Sequence, residues 1–387
     1  MSEKIAGRMR NITPFYVMEL LQKARELERQ GRDIVHMEIG EPDFATPDPV
    51  LRASIEILHQ GQIKYTPAAG LPELRKKISR YYQRQYSVDL DPRRIFITPG
   101  ASGAFLLALG VSLNPGDEVL MTDPCYPCNS NFINFFDGIA RLVPVAAGSN
   151  YQLNAQLLDQ HWSKRTRAAL ITSPANPTGS VIAAEDLQQS IDLVCGRGGL
   201  FYSDEIYHGL VYGSKAASAL QFSDQVFVIN SFSKYFAMTG WRIGWLTAPE
   251  AYCDAVERLA QNIFISTPSL AQYAALEAFS EENLQELENR AAEFARRGDF
   301  LYGELCRLGF GIARKPQGAF YIYADCSKFT GDSYQFALDL LQQQGVAVTP
   351  GKDFGNNKPH RYIRFAYTTA MQRLEEGVRR LESFIAG

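Results

Sequence analysis

Along residues 17–28 the apolar side chains Leu20, Leu21, Ala24 and Leu27 recur at helical spacing, which predicts an amphipathic helix. Residues 34–39 read as a short strand, and Gly40-Glu41-Pro42-Asp43 breaks it into a loop. A helix is predicted over 71–82, introduced by Pro72. From there the chain settles into short apolar segments separated by helical or polar stretches. Strands are predicted at 94–98, 118–122, 141–145, 168–172, 200–203, 226–230 and 243–247. The glycine turn Gly100-Ala101-Ser102-Gly103 leads from the first of them into an apolar run at 105–113, and a helix is predicted over 183–194. Strands alternating with helices in this way predict an α/β domain with a mostly parallel, seven-stranded sheet covered on both faces.

Around Pro268 the rhythm changes. Residues 270–279 and 281–308 read as helices, the second carrying Leu284, Leu287, Ala291, Phe294 and Ala295 on one side. Strand-like segments at 318–323, 346–348 and 362–367 follow, with helices at 333–343 and 371–384. This mixture predicts a smaller α+β domain. At 387 residues the chain exceeds the size of one hydrophobic core, so two domains and a cleft are expected. The division expected is an N-terminal arm at 1–15, a small domain from 16–47 and 281–387, and a large domain at 48–280.

Composition narrows the function classes. Hydrophobic residues are 46% and charged residues 21% of the chain, as in an ordinary globular protein. Lys and Arg number 39 against 42 Asp and Glu, with no long run of one sign, so no nucleic-acid footprint is visible. No signal peptide is visible in the polar first residues, and the run at 101–113 is too short to span a bilayer, so a cytoplasmic enzyme with no membrane partner is expected. Six cysteines are thinly spread and do not form a disulfide framework. Cys125 and Cys128 make a C-x-x-C, a pattern open to redox or metal roles. With no second close pair, and with Pro124 and Pro127 interleaved, the bland reading is two small buried thiols in a tight loop; no metal is expected.

In an open parallel sheet, ligands bind outside the carboxyl ends of the strands. Polar residues crowd those ends here: Gly100 to Gly103, Asp123 and Tyr126, Asn176, Asp204 with Tyr207, and Ser231, Ser233 and Lys234. Most lysines are solvated surface charges. Lys234 instead has aromatic and apolar residues on both sides and hydroxyls just before it, and partial burial would lower its pKa as attack on an aldehyde requires. Arg242 is compatible with a structural salt bridge; beside Ser231, Ser233 and the glycine turn it also completes a phosphate cradle. A carboxylate at 204 could keep a pyridine nitrogen protonated, Tyr207 and Asn176 could bond a phenolic oxygen, and Tyr126 could stack on a ring. Arg364 lies in an alternating strand, where a charge that burial does not neutralise needs a partner, either a carboxylate of the protein or that of a substrate.

The ordered series Gly40-Glu41-Pro42-Asp43-Phe44, Tyr65 with Gly70, Gly100-Ala101-Ser102-Gly103-Ala104, Asp123-Pro124 with Tyr126, Ser173-Pro174-Ala175-Asn176-Pro177-Thr178-Gly179, Ser203-Asp204-Glu205-Ile206-Tyr207, Ser231-Phe232-Ser233-Lys234, Gly240-Trp241-Arg242 and Arg364 covers nearly the whole chain. It resembles the class I/II aminotransferases, pyridoxal-phosphate enzymes of the aspartate aminotransferase fold (fold type I). The resemblance implies that Lys234 bonds the aldehyde of pyridoxal 5'-phosphate and shuttles the proton, and that Asp204 pairs with the pyridine nitrogen. It implies that Asn176 and Tyr207 bind the phenolic oxygen and that Tyr126 stacks on the ring. Ser231, Ser233, Arg242 and the amides of Ala101 and Ser102 would hold the phosphate. Tyr65 would reach the phosphate of a neighbouring subunit, making the enzyme a homodimer with shared active sites. Arg364, with the Gly40 backbone and Asn176, would clamp the substrate carboxylate.

The substrates implied are an amino acid and a 2-oxo acid. Some members preferring dicarboxylates carry a lysine where Ser102 stands, and Phe15, Tyr16, Phe264 and Ile265 offer apolar or aromatic surface near the cleft. A neutral or aromatic donor with 2-oxoglutarate or pyruvate as acceptor is therefore expected. The alternatives are an aspartate aminotransferase, or a carbon–sulfur β-lyase or decarboxylase on the same scaffold. A winged-helix regulator of this fold is not expected, since only a few dozen residues precede Gly40.

Overall fold

The structure is a computed structural model and describes residues 5–12, 14–61 and 63–387. Of the expected arm, residues 1–4 and 13 lie outside the described residues. The chain enters α1 (Tyr16–Arg29), β1 (Val35–His36), α2 (Asp48–Gln60) and α3 (Pro72–Tyr86). It then alternates through β2 (Ile95–Thr98), α4 (Gly100–Gly110), β3 (Glu118–Asp123), α5 (Pro127–Phe135), β4 (Ile139–Pro144), α6 (Ala155–His161), β5 (Thr166–Thr172), α7 (Ala184–Gly196), β6 (Leu200–Asp204), β7 (Val226–Ser231) and β8 (Gly244–Thr247). The helices α8 (Cys253–Ile263), α9 (Ser269–Leu276) and α10 (Glu281–Leu308) lead into β9 (Tyr321–Asp325), α11 (Ser333–Gln344), β10 (Val346–Ala347), β11 (Thr349–Pro350), β12 (Tyr362–Ala366) and α12 (Met371–Ala386).

Strands β2 to β8 form one seven-stranded sheet in the order β2-β8-β7-β6-β5-β3-β4. All neighbours run parallel except β8, which is antiparallel to both β2 and β7. Side chains alternate between two cores. Ile97, Leu120, Ile171, Phe201, Val228 and Trp245 enter one, while Phe96, Met121, Leu170, Tyr202, Phe227 and Leu246 enter the other. Period-two alternation into two apolar layers is what a sheet covered on both faces requires. The carboxyl ends of β3, β5, β6 and β7 therefore share one rim, ending in Asp123, Thr172, Asp204 and Ser231.

A second lobe holds the antiparallel sheet β11-β12-β9 and the two-stranded pair β1-β10. Val35 lies beside Val346 in that parallel pair, so the segment near the start of the chain packs on the segment near its end. The 28-residue helix α10 is bounded by Ser280, which accepts from the Asn283 N–H, and by Gly309 at φ 100°.

Several expectations needed correction. The strand expected at 34–39 shortens to two residues, because the backbone beyond it bonds elsewhere: the Arg364 guanidinium donates to the Glu38 carbonyl, and Thr368 to that of Ile39. The tight loop expected around Cys125 and Cys128 gives way to α5, which Pro127 opens at a first-turn position where a missing N–H costs nothing. Helices α5, α6 and α8 fall where the sequence pattern predicts no helix. Their apolar positions are short and interrupted, and only packing on the sheet selects the helix.

Candidate active site

A cavity of about 430 Å³ opens at the shared strand rim and is bounded on its other side by α1, Gly40, Tyr321 and Arg364. Lys234, just past β7, reaches into it, its Nζ donating to the Gly40 carbonyl at 2.6 Å. Burial pushes this ammonium down to about 8; Glu41 opposes the shift, and Arg364 and Arg242 add to it. An amine so placed is a usable nucleophile near neutral pH.

Asp204, at the end of β6, lines the same cavity and is 4% exposed. Burial pushes its carboxyl up to about 6, against the Ile206 N–H at 3.3 Å on Oδ1 and the Asn129 amide at 3.4 Å and Thr172 hydroxyl at 3.2 Å on Oδ2. A cation set beside this desolvated carboxylate would hold it ionised. Asn129 and Thr172 were not anticipated. Asn129 hides in the unpredicted helix α5, although Thr172 at a strand end carried the same positional signal as Asp204.

The amino end of α4 faces Arg242. A Cβ on Gly100, whose φ is +69°, would lie 2.7 Å from the Arg242 Nη2, and one on Gly244 would lie 3.0 Å from the Ala101 nitrogen. Glycine at both positions thus lets a helix start, a guanidinium and a strand meet closely. Ala101, Ser102, Ser233 and Arg242 all line the cavity here. Free amides at a helix start, two hydroxyls and a fixed guanidinium make a donor set suited to a phosphate. Ser231 lies behind this surface: its hydroxyl faces the Ser233 hydroxyl at 2.9 Å and the Ile243 carbonyl at 3.1 Å, fixing the turn that presents Ser233.

Across the cavity, Arg364 is 3% exposed. Its Nη1 donates to Asn176 Oδ1 at 2.9 Å and its Nη2 to Thr349 Oγ1 at 3.2 Å and to the Glu38 carbonyl, while Nε is buried with no hydrogen-bond partner among the described residues. A permanently charged group with a buried, unsatisfied donor suits an incoming carboxylate. The guanidinium also lies 4.3 Å over the ring of Tyr321, whose hydroxyl pairs with that of Tyr207 at 2.9 Å. Any Cβ at Gly40 would collide with the Tyr321 hydroxyl, which explains glycine there. Tyr321 was not anticipated; its signal was its place in the predicted strand at 318–323. Tyr126 precedes α5 and meets Phe15 edge to face at 6.0 Å.

Lys234, Asp204, Tyr207, Asn176, Tyr126, Ala101, Ser102, Ser233, Arg242, Arg364 and Gly40 are thus brought together, and the set contains an amine for an aldehyde, a carboxylate for a ring nitrogen and a phosphate cradle, which fits pyridoxal phosphate. Tyr65 is not among them; it is 81% exposed. Tyr16 also stands apart, its N–H on Asp353 Oδ1 at 2.8 Å and its ring against Tyr334 at 5.8 Å, while its neighbours Phe15 and Val17 line the cavity. Phe264 packs into the core near Gly103 and Ile265 is exposed, so neither lines the cavity of this chain. Burial raises both the Cys125 and Cys128 thiols above their ordinary values, and among the described residues no cluster of His, Cys, Asp and Glu could hold a metal ion. Nor is any described helix long and apolar enough to cross a membrane.

Residues 32–381 match the family model for aminotransferase class I and II. The chain is 38% identical over 384 residues to a (5-formylfuran-3-yl)methyl phosphate transaminase of Methanocaldococcus jannaschii, covering 98% of this chain and 99% of that one. It is also 38% identical over 387 residues to a valine–pyruvate aminotransferase of Mycobacterium tuberculosis, covering 100% and 99%. Among solved structures, an aminotransferase from Mycobacterium tuberculosis superposes with a TM-score of 0.96 at 38% identity over 100% of both chains.

Proposed function

The chain belongs to the class I and II aminotransferases, pyridoxal-phosphate-dependent enzymes of fold type I, and on that premise we propose that it moves an amino group from a neutral or aromatic L-amino acid to a 2-oxo acid such as 2-oxoglutarate or pyruvate, through Lys234. The observation that carries this reading is that Lys234, Asp204 and Arg364 line one cavity. Bound there, pyridoxal phosphate supplies an electron sink and a carrier for the amino group. Arg364 and Asn176 orient the substrate carboxylate, which fixes the Cα–H bond relative to Lys234 Nζ. Lys234 Nζ takes the α-proton and returns it on the way to product. Asp204 would hold a negative charge for the ring nitrogen, Tyr207 and Asn176 would donate to the phenolic oxygen, and Tyr126 would cover the ring. Phe105 and Phe132 give the cavity apolar wall, and Ser102 brings no cation, which supports a neutral or aromatic donor.

The proposal includes a homodimer, supported by the exposure of Tyr65 and of Ile55, Leu58 and Ile63, which lie within ten residues of it along the chain. Six free cysteines suit the reducing cytoplasm. A screen of amino acids against the holoenzyme without acceptor, followed by the cofactor spectrum, tests the function. One turnover ending in aminated cofactor is expected; continued production of pyruvate and ammonia would point to a β-lyase instead.

Arg364→Ala is expected to weaken capture of every amino acid alike, by about 2–5 kcal/mol if the pair is fully desolvated. Rate constants for the amination half-reaction across an amino-acid panel check this: the loss should be uniform rather than confined to one side-chain class. A pH dependence follows from the lysine. With its pKa lowered to about 8, the fraction of neutral amine grows as pH rises through that value. Capture of pyridoxal phosphate by apoprotein should therefore accelerate between about pH 6 and 9 and level off above, where an ordinary lysine would keep accelerating to beyond about 10. Stopped-flow absorbance measures it.

A further inference from the structure

Among the described residues that line the cavity, one cation, Arg25, is not used by the proposed reaction. Phe15, Val17, Met18, Leu21 and Arg25 carry its lining along the entry to α1 and up one side of that helix. Phe15 meets Tyr126, so this row starts where the cofactor ring would be covered. Arg25 stands two turns beyond Val17, about 12 Å along the axis at 1.5 Å per residue. The lining is therefore apolar near the reacting end and cationic at its far end. Met18, Leu21 and Arg25 also border an outer groove that Gln22, Glu28 and Arg29 complete, which sets Arg25 where the cavity meets that groove.

Arg25 has no hydrogen-bond or ion-pair partner among the described residues. Glu28, one turn on, is engaged by His36 at 3.1 Å, and Glu19 by Lys23 at 3.1 Å. Glu41 also lines the cavity, but its charge acts on Lys234 at the other end. A flexible guanidinium that no carboxylate among the described residues satisfies, at the end of an apolar passage, is a receptor for an anion carried on an apolar stem.

We propose that Arg25 recognises the terminal anion of one of the two substrates, an amino acid or 2-oxo acid whose side chain is apolar near the α-carbon and carboxylate-bearing at its tip. This rests on the transamination reading and names the class of its second substrate. The same passage serves both partners: a neutral donor fills only the apolar part, and the anion-tipped partner reaches the end. Short dicarboxylates such as aspartate are expected to stop short of Arg25.

The test compares 2-aminosuberate with its length-matched neutral counterpart 2-aminooctanoate, with aspartate as the short control, in half-reactions of the holoenzyme. In Arg25→Gln, the ratio of kcat/KM for 2-aminosuberate over 2-aminooctanoate should fall about tenfold, as for loss of a partly solvated charge-assisted bond, and mainly through KM. Arg25→Lys should fall between the two, and Arg25→Glu should lower the ratio further. Because Arg25 is an exposed helix residue, these variants should fold, which circular dichroism checks. An unchanged ratio, or an equal loss for both substrates, overturns the assignment. If 2-aminooctanoate, phenylalanine and aspartate all fail to aminate the cofactor of the native enzyme, the transamination reading itself fails, and this inference with it.

Discussion

Alanine at position 234 is expected to leave a folded protein that takes up pyridoxal phosphate weakly and no longer converts it to the aminated form with any amino acid. The loss should be at least about 10⁴-fold, the upper end for a positioned general base, because in the proposed mechanism the same amine would also form the covalent link to the cofactor. Stability should not suffer. Burial lowers the folded-state pKa of Lys234 from 10.5 to about 8, so below that value the protonated amine favours the unfolded chain. Removing it therefore relieves the folded state at pH 7 rather than weakening it. Thermal unfolding of the apoprotein, which should show a midpoint no lower than native, separates this from a folding defect. Single-turnover absorbance then reads the chemistry.

Asp204→Asn is expected to cost the amination half-reaction roughly 10²–10³-fold or more, the range for breaking a buried charge pair worth about 3–5 kcal/mol. The replacement keeps the shape and can still pair with Thr172 and the Ile206 N–H, so the variant should fold. What it lacks is charge. The native carboxyl, pushed up to about 6 by burial in the apoprotein, is drawn back down when a cationic ring nitrogen sits against it. Cofactor binding near pH 6 should therefore release the Asp204 proton from the native apoprotein, a proton that the variant does not carry. Calorimetry in buffers of different ionisation enthalpy measures that difference, which a merely structural role for residue 204 would not produce.

Much of the large lobe was legible because its strands are short, mostly apolar and separated by unambiguous turns. Each of the seven predicted strands corresponds to one in the sheet, with ends shifted by one or two residues. The antiparallel insertion of β8 was not legible, since an apolar strand such as Gly244–Thr247 reads the same in either direction and only pairing sets its sense. The polar residues at the strand ends could be read as converging because the chain direction of a parallel sheet puts all those ends on one rim. Asn129 and Tyr321 escaped for different reasons. The first lies on a helix that the prolines and cysteines around it disguised as a loop. The second belongs to the other lobe, whose approach to the rim depends on long-range packing such as the pairing of Val35 with Val346. Tyr16 shows the limit of proximity in sequence: its ring packs against Tyr334, while Phe15 and Val17 on either side of it line the cavity.

Reduction of the cofactor-loaded enzyme with borohydride, followed by peptide mass mapping, tests most directly which amine holds the aldehyde. A stable cofactor adduct on the peptide bearing Lys234, and its disappearance when an amino acid is added before reduction, is the result expected. An adduct confined to another lysine, or no adduct in a protein that folds and contains the cofactor, would contradict the assignment of Lys234 and Asp204 as the two groups around which the site is built.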